Sequence, residues 1–183
     1  MHKLWRDGYE VSSVKSVSEM LGITRSSFYN AFGTREALFE EALALYFSQT
    51  PDHPMATATP DMSTKRLFTS VFRAVCKARA EDEEGRGCLA VNCISELCNA
   101  HETLGPVIEK AVLSSLGRIK TILDWGVKTG ELDPALDTHA TALAVQNLLI
   151  GINVMSKVVR NYKDLVATVD TTLSALGLLD TEI

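Results

Sequence analysis

Residues 14–31 carry the pattern that leaves this chain least freedom. Apolar side chains stand at Val17, Leu21, Ile23, Phe28 and Ala31, a small residue at Ser18, and a glycine, Gly22, between the two halves. Val14-Lys15-Ser16-Val17-Ser18-Glu19-Met20-Leu21 reads as a short amphipathic helix capped by Ser13. Gly22 lets the chain leave that helix through a left-handed conformation with little strain. Ile23 turns back to the core, and Thr24 caps a second helix, Arg25-Ser26-Ser27-Phe28-Tyr29-Asn30-Ala31. Two short helices that cross steeply, with a small residue where they approach, make a helix-turn-helix. The plainer alternative is a generic helical hairpin.

The second helix has two unlike faces. Phe28 and Phe32 face inward. Thr24, Arg25, Ser26, Ser27, Tyr29 and Asn30 face outward; all form hydrogen bonds and none is acidic. Arginine pairs bidentately with guanine and asparagine with adenine. Tyrosine, serine and threonine commonly reach phosphate oxygens. Helix N-termini at Ser13, Thr24 and Thr34 also suit an anionic backbone. A merely solvated face usually carries Glu and Lys instead. The whole chain is acidic, 18 Lys and Arg against 23 Asp and Glu, which by itself argues mildly against nucleic acid. Distribution matters more. Between Ser12 and Arg35 the charges are Lys15, Arg25 and Arg35 against Glu19, and the acids Glu36, Glu40 and Glu41 cluster just after.

The chain has 183 residues, enough for one large domain or two small ones. Residues 50–61 hold Pro51, Pro54 and Pro60 and no apolar periodicity, so they read as a loop. The expected division is a helix-turn-helix domain over 1–48, a linker over 49–62 and a helical domain over 63–183. Strand signals are poor, and the fold class is all-α with eight or nine helices. After the linker, Ser63 caps a helix to about Asp82, a nearly all-apolar helix spans Cys88 to Cys98, and a third runs from Thr103 to about Lys128. Asp137 caps a fourth to about Arg160, and a fifth covers Lys163 to Leu176. No apolar run approaches the ~18–20 residues of a membrane helix, so no membrane partner is expected. Four cysteines in such a length are no disulfide scaffold, and a reducing cytoplasm is the expected compartment.

Gly8-Tyr9-Glu10-Val11-Ser12-Ser13, followed by Leu21-Gly22-Ile23-Thr24-Arg25-Ser26-Ser27-Phe28-Tyr29-Asn30-Ala31-Phe32-Gly33-Thr34-Arg35-Glu36-Ala37-Leu38-Phe39, closely resembles the DNA-binding domain of the TetR family of bacterial transcription regulators. The likeness is specific over residues 4–46 and architectural beyond. It implies a homodimer that binds double-stranded operator DNA, usually as a repressor, and is released by a small-molecule effector held in the helical domain. By that likeness Ser13 and Arg35 bind phosphate, and Thr24, Tyr29 and Asn30 mix phosphate and base contacts. Arg25, Ser26 and Ser27 lie nearest base edges. Arg35 stands where the family usually has Lys, with the charge kept. The first helix has only residues 1–7, where the family's begins well before Gly8. Trp5 and Tyr9 are expected to cover Val17, Leu21 and Phe32, and the small domain to be loosened. A second reading, from another class, is a helical ligand-binding or scaffolding dimer that has lost DNA binding.

Cys88, Cys93 and Cys98 invite a metal or redox reading. Steps of five residues turn about 140° around a helix axis, so the three thiols cannot share one metal. They read as buried structural cysteines. Gly87-Cys88-Leu89 resembles a helix start in a branch of the family, and a thiolate at a helix N-terminus has a lowered pKa, which makes Cys88 a candidate thiol sensor. His2, His53, His101 and His139 have no ligand spacing, and neither metal nor cofactor is expected. No nucleophile elbow, phosphate loop or dinucleotide fingerprint appears, so no catalytic residue and no enzyme are expected. Asn92, Glu96, Gln146, Asn147 and Asn153 interrupt apolar helices. They are either satisfied core and dimer contacts or anchors of an effector pocket. The effector candidates are Asn92, Glu96 and Trp125, with Phe72 and Cys76 as walls. For the dimer, Ala140, Leu143, Ala144, Asn147, Leu148, Gly151 and Met155 form one stripe and Leu165, Val169, Leu173 and Leu176 another. Two copies would bury both in a four-helix interface.

Overall fold

The computed structural model describes residues 1–183. Its elements are helices throughout: α1 (His2–Asp7), α2 (Val14–Leu21), α3 (Arg25–Phe32), α4 (Arg35–Gln49), a 3-10 turn (His53–Ala56), α5 (Thr64–Ala80), α6 (Leu89–Leu97), α7 (Leu104–Thr129), α8 (Thr138–Met155) and α9 (Tyr162–Ala175). Side-chain caps set most of the starts. The hydroxyls of Ser13, Thr24, Thr34 and Ser63 accept the N–H groups of Ser16, Ser27, Ala37 and Arg66. Asp137 accepts those of His139 and Ala140, both at 3.0 Å. Each such cap contributes ~1 kcal/mol. No helix is long and apolar enough to cross a membrane.

Contacts divide the chain into two compact units: Met1–Thr50 with Cys88–Lys110, and Pro51–Gly87 with Ala111–Ile183. Residues 88–110, which the sequence order assigns to the larger domain, therefore pack with the first fifty. In the first unit Leu4, Tyr9, Phe39, Leu43 and Tyr46 meet Leu89, Cys93, Leu97, Leu104 and Ile108. Trp5 meets Tyr46 edge-on at 5.0 Å, and Tyr9 meets Phe39 at 5.3 Å. Trp5 and Tyr9 thus do not cover Val17, Leu21 and Phe32 as expected: they join the core that α4 forms with α6 and α7. Leu21 stays 48% exposed. With Met1, Leu4, Val17, Met20, Phe32, Leu38, Ala42 and Leu45 it lines an open groove of about 290 Å³.

The second unit is built on α5, whose Phe68, Phe72, Val75 and Cys76 are fully buried. Ile119 and Leu123 of α7, Val145 and Leu149 of α8, and Leu165, Val169 and Leu173 of α9 close around them. The stripe expected to pair α9 with a second copy is corrected here. Leu165, Val169 and Leu173 are buried within the chain's own core, and Leu176 packs against it. On α8 the expected stripe does face outward: Ala140, Leu143, Asn147 and Met155 are exposed, and Ala144, Leu148 and Gly151 half-buried. That helix stops at Met155 and does not reach Arg160. Ser156 donates its hydroxyl to the Asn153 carbonyl at 3.1 Å, and Arg160 reaches the Glu83 carbonyl at 3.2 Å.

The buried amides of this unit are satisfied. Gln146 accepts from the Ser115 hydroxyl at 2.9 Å. Asn153 accepts from Arg79 Nε at 2.6 Å and donates to the Leu149 carbonyl at 2.8 Å. Glu131 caps α5 from the turn after α7. Its carboxylate accepts from the Ser63 hydroxyl at 2.6 Å, Thr64 N–H at 2.7 Å and Lys65 N–H at 2.9 Å. Burial works against that charge, but these three donors hold the carboxyl below the usual glutamate range.

Candidate nucleic-acid interface

The helix-turn-helix forms from local chemistry. Gly22 ends α2 in the left-handed conformation, φ 64° and ψ 30°. Its N–H and that of Ile23 return to the carbonyls of Glu19 and Ser18, at 3.2 and 3.0 Å. Val17 and Ser18 are the buried residues of α2, and Phe28 that of α3. Ser18 Oγ is buried without a hydrogen-bond partner, so its small size rather than its hydroxyl serves the packing. Phe28 lies 5.2 Å from Phe32 and 5.6 Å from Tyr29, ring centre to ring centre.

With Phe28 turned inward, the rest of α3 is open. Thr24, Arg25, Ser26, Ser27, Tyr29 and Asn30 are all exposed, as are Ser13 and Thr34 at the starts of α2 and α4. The Thr24 and Ser27 hydroxyls stand 2.9 Å apart, which orders the first turn. None of these eight side chains is acidic. The surface offers a row of donors and acceptors, one cation and three helix N-termini, a chemistry suited to phosphates and base edges.

Arg35 is placed differently from the rest of the expected set. Its guanidinium lies over the Tyr9 ring, 3.8 Å from the ring centre. Nε donates to the Ser12 carbonyl at 3.1 Å and Nη2 to the Tyr9 carbonyl. Arg35 therefore clamps the turn between α1 and α2. Tyr9 also donates its hydroxyl to Glu36 at 3.0 Å. Burial, with Glu36 beside it, pushes the Tyr9 phenol up to about 12. Glu36 moves the other way: its own backbone N–H and then the Tyr9 hydroxyl hold it below the usual range.

The effector candidates are divided between the two units. Asn92 and Glu96 belong to the first unit, and Phe72, Cys76 and Trp125 to the second. Glu96 is no pocket anchor, because its two oxygens accept the backbone N–H groups of Tyr9 and Glu10 at 3.2 and 2.8 Å. The available signal was its position as the lone carboxylate of an otherwise apolar helix. Phe72 and Cys76 are fully buried, and burial pushes the Cys76 thiol up to about 12. Cys88 occupies the N-cap of α6 and is buried in the first unit's core. Cys93 is fully buried, and burial likewise raises its thiol to about 12. No three His, Cys, Asp or Glu side chains are grouped to hold a metal ion.

A capped helix-turn-helix with an open, acid-free second helix defines a DNA-binding protein of the helix-turn-helix class. Residues 2–42 match the family model described as "Bacterial regulatory proteins, tetR family", and residues 64–171 match "Tetracyclin repressor-like, C-terminal domain". The chain belongs to the TetR family of transcriptional regulators. It is 28% identical over 178 residues to the "Uncharacterized HTH-type transcriptional regulator YezE" of Bacillus subtilis (strain 168), covering 92% of this chain and 88% of that protein. A cysteine-substituted form of the TetR-family regulator CifR, solved with 26-bp double-strand operator DNA, superposes with a TM-score of 0.81 at 27% identity. That match covers 94% of this chain and 90% of CifR. A TetR-family regulator from Cytophaga hutchinsonii shares the fold at TM-score 0.75 and 18% identity, over 97% of this chain and 89% of that one. The protein is a DNA-binding transcriptional regulator.

Proposed function

We propose that the protein acts as a cytoplasmic, homodimeric repressor, without catalytic activity, that leaves a palindromic operator when a small effector binds. Arg25, Ser26 and Ser27 read base edges. Thr24, Tyr29 and Asn30 mix base and phosphate contacts, and Ser13 and Thr34 hold phosphate through helix N-termini. Arg35 adds a phosphate contact through Nη1, the nitrogen that the Tyr9 and Ser12 carbonyls leave unused. The observation that carries this reading is α3: one buried aromatic, and every other side chain from Thr24 to Asn30 exposed and polar. CifR, bound to operator DNA, supports it by likeness.

The division of labour follows. Residues 1–48 read DNA with 88–110 packed against them, 49–62 link, and the rest of 63–183 binds effector and partner. The outward stripe of α8, with Leu143, Val154 and Met155 exposed, supplies the apolar area for a second copy. Phe72, Cys76 and Trp125 share the second unit and are the residues on which an effector acts. Cys88 is the thiol-sensor candidate, since its modification would disturb both the start of α6 and the core around it.

The test is selection of a duplex from a random library, followed by titration of Arg25→Ala. The variant should lose about 1–3 kcal/mol on the selected duplex and relax preference at one base position. Equal losses on selected and random DNA would refute base reading by Arg25.

A further inference from the structure

We propose that Glu96 is a positioning residue for DNA reading: from α6 it holds the turn over residues 8–13, and through it the start of α2, in operator-binding form. The inference rests on the DNA-reading role given above to α2 and α3. The Glu96 carboxylate takes the N–H groups of Tyr9 and Glu10, at 3.2 and 2.8 Å. Arg35 of α4 takes two carbonyls of the same turn, those of Tyr9 and Ser12. The Ser12 hydroxyl closes the turn on the Gly8 carbonyl at 2.6 Å. The next residue, Ser13, caps α2. A segment with no helix of its own is thus fixed by two side chains remote in sequence.

Gly8 makes the approach possible. Its φ is 83°, and a Cβ there would stand 3.0 Å from Glu96 Oε1. No other residue type both adopts that conformation with ease and leaves the carboxylate its place. A displacement of α6 would withdraw the acceptor from both N–H groups at once, leaving Arg35 as the turn's remaining side-chain hold on its backbone from another element.

Charge gives the proposal a sign. Each carboxylate in a DNA-binding unit opposes the duplex, so by electrostatics alone removing Glu96 strengthens binding. Positioning requires the opposite. The experiment compares the full chain with Glu96→Ala, Glu96→Gln, Gly8→Ala and Arg25→Ala. Each is titrated against a duplex selected from a random library by the unaltered chain, and against random DNA of equal length. Glu96→Ala should weaken the selected duplex about tenfold, the scale of one charge-assisted hydrogen bond. Binding to random DNA should hold or rise. Glu96→Gln, which keeps one acceptor oxygen, should fall between, and Gly8→Ala should reproduce the loss. In hydrogen exchange the Tyr9 and Glu10 amides should lose protection while those of Val17 and Phe28 keep it. Unchanged or tighter binding of Glu96→Ala to the selected duplex overturns the proposal. So does an equal fall on both duplexes with loss of protection at Val17 and Phe28, because that is ordinary unfolding. If Arg25→Ala retains full preference, the reading of α3 fails and the inference falls with it, whatever Glu96 does.

Discussion

Replacing Glu131 by Gln tests how a single distant carboxylate holds α5. Oε1 takes the Ser63 hydroxyl and Lys65 N–H, and Oε2 takes Thr64 N–H. The amide of Gln can keep the first pair, but its NH2 then faces the Thr64 N–H, donor against donor. One hydrogen bond to a charged acceptor is worth about 1.5–3 kcal/mol, and partial exposure sets this one near the lower end. A negative charge at a helix N-terminus adds about 0.3–1 kcal/mol. The expected loss is about 2 kcal/mol. For a chain of this length each kcal/mol moves the melting temperature roughly 2–4 °C, so Glu131→Gln should melt about 4–8 °C lower. The assay is calorimetry of the full chain at fixed protein concentration, since dimerisation couples to stability. The carboxyl's folded pKa lies below its usual value of 4.5, so its contribution is complete above that value and fades as pH falls through the folded one. The gap between the two proteins should therefore close in acid. A melting temperature unchanged at neutral pH, or a gap that persists undiminished in acid, refutes the reasoning.

Other outcomes follow from the same packing. Leu143→Asp, on the exposed stripe of α8, should give a monomer by light scattering at micromolar concentration with helix content kept. A dimer of unchanged size would move the interface elsewhere. Leu173→Ala should lose about 2–5 kcal/mol in urea unfolding, because that side chain is fully buried against α5 rather than left for a partner. Amides of α2 and α3 should exchange faster than those of α8, since only Val17 and Phe28 bury apolar side chains there. Equal protection would show that the reading head is not loosened.

The sequence revealed what is decided locally. Ser13, Thr24, Thr34, Ser63 and Asp137 were recognisable as caps because each partner lies two or three residues away. The α3 surface was legible for the same reason: once Phe28 points inward, helical geometry sends Arg25, Ser26, Tyr29 and Asn30 outward. Long-range choices were hidden. The apolar face of α9 could be buried by a partner copy or by α5, and periodicity is the same in both cases. Trp5 and Tyr9 had two surfaces to choose between, and the one they took joins Phe39 and Tyr46 of α4 to residues of α6 and α7 far along the chain. Glu96 looked like a pocket anchor because nothing in residues 89–97 points to Gly8. Arg35 looked like a free cation because its acceptors are backbone carbonyls, which every sequence has.

The intertwining of residues 88–110 with the first fifty bears on how the protein comes into being. The helix-turn-helix is synthesised before Leu89, Cys93, Leu97, Leu104 and Ile108 are added, and these are the side chains that close over Leu4, Tyr9, Phe39 and Tyr46. During that interval the nascent reading head has an open floor, and Glu96 is not yet present to hold its turn. A fragment cut within residues 50–61 freezes that interval permanently. Synthesis must pass residue 110 before the half of the protein that meets DNA can be finished.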